Sequence, residues 1–244
     1  MRNIKLTVAY EGTGYNGFQR QMNGIGIQQV LEGRLAKLFG HELKMYGAGR
    51  TDAGVHAYGQ VVNFYTTGTI PVERIAIASR CLLPHDIVIT EVEEVDGMFH
   101  AQYSATSKIY VYKLYPHVMP DPFLRNYAWH IRRKLDVAAI EKAAQCIVGT
   151  HDFSAFRAAG GANISPIRTI LEVKCQFVDE ILELSFWGTG FLYHMVRNLT
   201  GTLVEVGIGA RSVEQFKVIL ESLERKKAGI TAPAHGLYLK EVQY

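Results

Sequence analysis

One carboxylate stands out for the company it keeps. In Gly49-Arg50-Thr51-Asp52-Ala53-Gly54-Val55-His56-Ala57, small residues surround a single arginine and a single aspartate. An aspartate in a loop ordinarily caps a turn through its side chain. Here Arg50, two residues away, can hold Asp52 ionised, and the two glycines let a backbone crowd a ligand. A carboxylate so placed can serve as a nucleophile.

Three further clusters carry chemical groups. Gly12-Thr-Gly14-Tyr-Asn-Gly17 fits the glycine fingerprint of dinucleotide folds, in which the helix opens inside the motif. Seven residues, from Phe18 to Gly24, intervene here before any helical period, and no acidic residue ends the next strand. The alternative is a turn that lets the backbone approach a neighbour closely. In Tyr110-Val-Tyr112-Lys-Leu-Tyr115, alternation predicts a strand whose rings either pack or, at Tyr110, stack on an unstacked base. In Phe191-Leu-Tyr-His-Met-Val-Arg197-Asn198, a helical period puts Arg197 and Gly201 on the face away from Leu192, Met195, Val196, Leu199 and Leu203. Arg197 is then either a surface cation or one facing a cleft, with Gly201 admitting a backbone or a ligand. Arg225-Lys226-Lys227 reads as a solvated helix end. His56, His100 and His194 have no acid partner at a telling spacing, so no serine or cysteine triad is supported.

The elements that must carry these groups are readable. Ile4, Leu6, Val8 and Tyr10 alternate as one face of a strand. Helical period sets in at Ile27, and strands are expected over 42–48, 59–65, 87–95 and 107–115. Pro71 suits the first turn of a second helix. The segment 116–133, with three prolines, reads as a connecting loop. Beyond it, Asp136 is a helix N-cap. Strands follow at 168–178 and 181–187, a helix from about Phe191 to Glu205, a capping box at Ser212-Val-Glu-Gln, and a last strand over 237–242. The mixture lacks the regular strand–helix alternation of a parallel sheet. The fold expected is α+β in two similar halves, 1–105 with the aspartate loop and 106–244 with the tyrosine strand and the arginine helix.

Composition narrows the function classes. The 244 residues are 48% hydrophobic and 20% charged, enough for a core and too apolar for disorder. No run reaches the roughly 20 apolar residues of a membrane helix, and no signal-like apolar stretch has formed before Glu11. A soluble, cytoplasmic protein is expected. The three cysteines are too few for a disulfide framework, and no two of the nine histidines lie three or four apart, so no metal site is expected. A net charge of +3 permits a polyanionic partner without requiring one.

Four segments then occur in a telling order: Gly49-Arg-Thr-Asp-Ala-Gly-Val-His-Ala57, Phe99-His-Ala-Gln-Tyr-Ser-Ala-Thr-Ser-Lys-Ile-Tyr110, Gly190-Phe-Leu-Tyr-His-Met-Val-Arg-Asn198 and Ala228-Gly-Ile-Thr-Ala-Pro-Ala-His-Gly-Leu-Tyr238. Over nearly its full length the chain resembles the tRNA pseudouridine synthase A family. The resemblance implies an isomerase that converts uridine to pseudouridine in the tRNA anticodon arm, just 3′ of the anticodon at tRNA positions 38, 39 and 40. It implies no cofactor and no metal, and a homodimer of chains whose two halves join their antiparallel or mixed sheets across a basic cleft, helices outside. By the same resemblance Asp52 is the essential carboxylate, Tyr110 contacts the target uridine and Arg197 pairs with the aspartate. Arg50 is expected among the substrate-binding residues. Ala210 and Val213 stand where relatives often carry Lys and Pro, and Glu224 where Asp is usual; none of these falls on the expected catalytic set.

The chemistry agrees with those residue types. Breaking the N1–C1′ bond develops positive charge on the sugar, which a nearby carboxylate can stabilise or capture. The base must first leave its stack. Reactant and product are isomers, so the reaction calls for no redox cofactor or phosphate donor. Two rivals follow from the sequence: an RNA-binding protein without catalysis, and a nucleotide-dependent oxidoreductase resting on Gly12 to Gly17 alone.

Overall fold

The computed structural model describes residues 1–161 and 165–244. Its strands and α-helices run, in chain order, β1 (Arg2–Tyr10), α1 (Ile27–Phe39), β2 (Met45–Gly47), β3 (His56–Thr66), α2 (Val72–Ser79), β4 (Ile87–Val95), β5 (Ser107–Pro116), β6 (Trp129–Ile131), α3 (Val137–Gln145), β7 (Gly149–Asp152), β8 (Ile167–Val178), β9 (Ile181–Gly188), α4 (Met195–Gly207), α5 (Val213–Ser222) and β10 (Leu237–Gln243). The fold is α+β. Two compact units divide it: Met1–Thr106 with Tyr238–Tyr244, and Ser107–Leu237. The sequence reading kept the chain's last seven residues with the second half; they belong to the first unit, because β10 runs parallel to β3 with Tyr238 opposite His56 and Leu239 opposite Ala57.

In the first unit β1 lies between β3 and β4, antiparallel to both. The alternation of β1 has its expected result: Ile4, Leu6 and Val8 are fully buried and Tyr10 nearly so. The far edge of β3 is shared, β10 pairing at its start and β2 antiparallel at Val62 to Phe64. Helix α1 buries Ile27, Leu31, Leu35 and Phe39, and the Phe39 ring meets Phe64 of β3 edge-on, centroids 5.2 Å apart. Pro71 is the N-cap of α2, one place before the first turn expected for it.

In the second unit β5, β9, β8 and β7 form an antiparallel run, and β6 lies parallel to β5. Strand β6 falls within the segment read as a loop; three residues are too few to show a period. The expected caps are present. Asp136 accepts a hydrogen bond from the Ala139 N–H at 3.0 Å, and Ser212 with Gln215 forms both bonds of a capping box. Helix α4 begins at Met195 rather than near Phe191, because His194 takes a left-handed conformation (φ 59°, ψ 6°) that interrupts a helical run. Its Leu199 and Leu203 are fully buried, and Phe216 of α5 stacks on Phe156 at 5.8 Å.

Candidate active site

The loop carrying Asp52 is held at several points along its backbone. At its entry Ala48 donates its N–H to the Val61 carbonyl, and the Gln60 amide of β3 donates to the Gly49 carbonyl at 3.0 Å. Thr51 shares a 2.8 Å hydrogen bond with the Tyr10 hydroxyl at the end of β1. The Asp52 carbonyl accepts from the Val55 N–H at 3.1 Å, closing a turn in which Gly54 has φ +78°. Asp52 itself is half-buried, between buried Thr51 and exposed Ala53.

The glycine-rich loop at 12–17 is the brace for that turn. The Phe18 N–H donates to the Thr51 carbonyl at 3.1 Å, and the Gly54 N–H donates to the Tyr15 carbonyl at 3.3 Å. A side chain on Gly12 would overlap the Val55 carbonyl; one on Gly17, where φ is +82°, would lie 2.5 Å from the Thr51 carbonyl oxygen. Of the two readings of this motif, close backbone approach is the one realised, and what it approaches is the aspartate loop. Helix α1 anchors the brace: Gln28 accepts from the Gln19 amide at 2.7 Å, while buried Glu32 pairs with Arg20 at 2.6 Å and accepts the Met45 N–H at 3.0 Å.

His56, at the start of β3, is buried and stacked on Tyr238, centroids 4.7 Å apart. Its Nδ1 accepts the Gly12 N–H at 3.0 Å and so carries no proton there. The Glu11 carboxylate lies 3.7 Å from that nitrogen. Arg50, two residues before Asp52, is exposed. Tyr10, which sequence reasoning used only as a strand residue, supports the loop from below. Burial pushes its phenol up to about 12, against the opposing effect of the Thr51 bond.

The second unit holds Tyr110 and Arg197. Tyr110 is buried on β5 opposite Phe186 of β9, and the Phe191 ring packs against it edge-on at 5.0 Å. Two positions earlier on the same face lies half-buried Lys108, whose pKa burial lowers. Its two-residue spacing from Tyr110 was the available signal. Arg197 is half-buried in the first turn of α4, and its Nε donates to the Ala232 carbonyl at 2.8 Å. The Arg197 carbonyl accepts the Ala232 N–H in return, at 3.1 Å. Gly201, one turn on, admits a backbone: a side chain there would overlap the Ile230 carbonyl. Beneath them Asn198, fully buried, donates to the Phe156 carbonyl at 2.8 Å and accepts from Arg225 and Thr231 at 2.9 and 2.6 Å. Arg225 is thus turned inward, and the solvated helix end expected at 225–227 is a short 3-10 turn in which Lys226 and Lys227 pair with Glu224.

Among the described residues, no group of three or more His, Cys, Asp and Glu is gathered as metal ligands would be, and no helix is long and apolar enough to cross a membrane. The chemical groups on offer are a carboxylate on a rigid turn, an aromatic ring on a strand and an oriented guanidinium on a helix.

Known proteins give these groups a context. The family model for tRNA pseudouridine synthase matches residues 6–104 and 143–244. A protein of Acetivibrio thermocellus called tRNA pseudouridine synthase A is 47% identical over 244 residues, covering the whole of both chains. One of the same name from Clostridium kluyveri is 46% identical over 244 residues, again over the whole of both. A solved chain in "Crystal Structure of a Cbf5-Nop10-Gar1 Complex" aligns with 82% of this chain at a TM-score of 0.37 and 10% identity, and this chain spans 54% of its length. On the family model and the full-length identities, the chain belongs to the tRNA pseudouridine synthase family of isomerases.

Proposed function

We propose that this isomerase forms pseudouridine in the anticodon arm of tRNA, at positions 38, 39 and 40, with Asp52 as its catalytic carboxylate. The observation that carries the reading is the Asp52 turn, pinned by Gln60, Tyr10, Phe18 and Tyr15. A carboxylate needed at one sugar carbon gains from such preorganisation, since its backbone need not be ordered when substrate arrives.

The N1–C1′ bond of the uridine breaks and its electron pair stays with the uracil. Capture of C1′ by the carboxylate, or removal of a sugar proton by it, requires Asp52 to be ionised. Arg197 stabilises that charge; its fixed bond to Ala232 sets the plane of the guanidinium. Tyr110 offers its ring to the detached uracil while C5 turns toward C1′. The C5–C1′ bond then forms, C5 loses its proton and N1 gains one, so atoms balance without a co-reactant. Arg50, exposed beside the turn, contacts the RNA backbone. The working enzyme is a homodimer in the cytoplasm and needs no cofactor.

Carbodiimide labelling and primer extension on an unmodified tRNA transcript test the reading. Wild-type protein should give stops in the anticodon arm and Asp52→Asn none, although the variant still binds the transcript. Binding without stops from either protein would instead support the RNA-binding rival.

A further inference from the structure

Arg225, in the second unit, is engaged through both ends of its guanidinium. Its Nη1 donates to the Gly229 carbonyl at 3.0 Å and, more weakly, to the Ala228 carbonyl at 3.5 Å. Its Nη2 donates to Asn198 Oδ1 at 2.9 Å and to Thr231 Oγ1 at 3.0 Å. The neighbouring Lys226 and Lys227 point the other way, to Glu224. Burial disfavours the charge on Arg225, and Glu205 partly offsets that cost. A phosphate-binding arginine would keep its fork for the ligand; this one spends it on the protein.

What Arg225 holds is the segment 228–232. That segment lies on α4: the Gly229 N–H donates to Thr202 Oγ1 at 3.0 Å, the Ile230 carbonyl sits against Gly201, the Thr231 hydroxyl donates to Asn198, and Ala232 exchanges two hydrogen bonds with Arg197. The Arg197 Nε thus donates to a carbonyl whose place depends on the turn that Arg225 ties down. Asn198, next to Arg197 on the helix, bonds Arg225 and Thr231 together from the other side.

We infer that Arg225 is a positioning residue for Arg197, setting the Ala232 carbonyl that orients its guanidinium. This rests on the proposed role of Arg197 beside the catalytic carboxylate. Four donor contacts in one plane are within reach of a guanidinium and not of an ammonium, so lysine keeps the charge and loses the function.

The test uses the full-length enzyme with Arg225→Lys and Thr231→Val, each assayed for pseudouridine formation and for tRNA binding across salt concentrations. Thermal unfolding is followed alongside. Thr231→Val preserves shape and removes only the hydroxyl that joins Arg225 to Asn198, so it loosens the turn even if Arg225→Lys folds poorly. The expected result is a kcat lowered tenfold or more in Arg225→Lys and severalfold in Thr231→Val, with KM and the salt slope of binding changed less than about twofold. Full activity in Arg225→Lys would overturn the inference. So would a raised KM and a shallower salt slope with kcat intact, which would make Arg225 an RNA-backbone contact. Wild type is run in the same assay: failure there removes the proposed function itself, whereas an active wild type with unaffected variants removes only the role of Arg225.

Discussion

At the scale of single residues, Asp52 stood out as a candidate because its neighbours are so small and so few of them carry charge. Its supports were not. Tyr10 and Gln60 reach the turn from strands and Phe18 from the glycine loop, and nothing in a linear spacing pairs residue 10 with residue 51. Tyr10 gives this scale its prediction. Its phenol ionises near 12 in the fold and near 10 when unfolded, so the neutral form is favoured by folding. The stability it contributes is whole below about pH 10 and is lost as pH rises toward about 12, a change of about 2–3 kcal/mol. Tyr10→Phe should be less stable by about 1 kcal/mol at pH 8, for want of the Thr51 bond. It should also lose less stability than wild type between pH 9 and 11.5. Guanidinium unfolding at those pH values measures both; equal slopes would show that Tyr10 is not the residue linking this loop to pH.

At the scale of elements, strands and helices with a clear period were read almost in place: β1, α1, β4, β5, β8, β9 and α5 lie within a residue or two of expectation. Misreadings came where local conformation overrides pattern. The apolar residues from Phe191 continue the helical period of α4, yet His194 turns left-handed and the helix waits until Met195. Strand β6 is too short for any period. Gly201 in α4 supplies a prediction whose sign separates packing from propensity. Gly→Ala inside a helix ordinarily stabilises by about 1 kcal/mol. At Gly33 in α1 nothing lies within 4 Å of the added carbon, so Gly33→Ala should raise stability by up to about that amount. At Gly201 the new methyl would meet the Ile230 carbonyl, and Gly201→Ala should cost about 1–3 kcal/mol net. Thermal unfolding of the pair decides it; two shifts of the same sign would mean that 228–232 yields freely and does not hold α4.

At the scale of the whole molecule, collinear motifs made the family readable before any geometry, because they are distributed along nearly the full chain. The α+β class followed from the irregular order of strands and helices. The return of β10 to the first unit did not, since a strand's own sequence does not name its partner. The mild net charge of +3 said little about a polyanionic substrate. The proposed function therefore rests on Asp52 acting on a uridine, and the most direct measurement follows the hydrogen that the reaction must expel. With tRNA carrying tritium at uracil C5, every C5–C1′ bond formed releases one tritium to water. Under single-turnover conditions the account predicts release by wild type and a rate at least about a thousandfold lower for Asp52→Asn, with tRNA affinity within about threefold. Release by Asp52→Asn at a rate near wild type would contradict it.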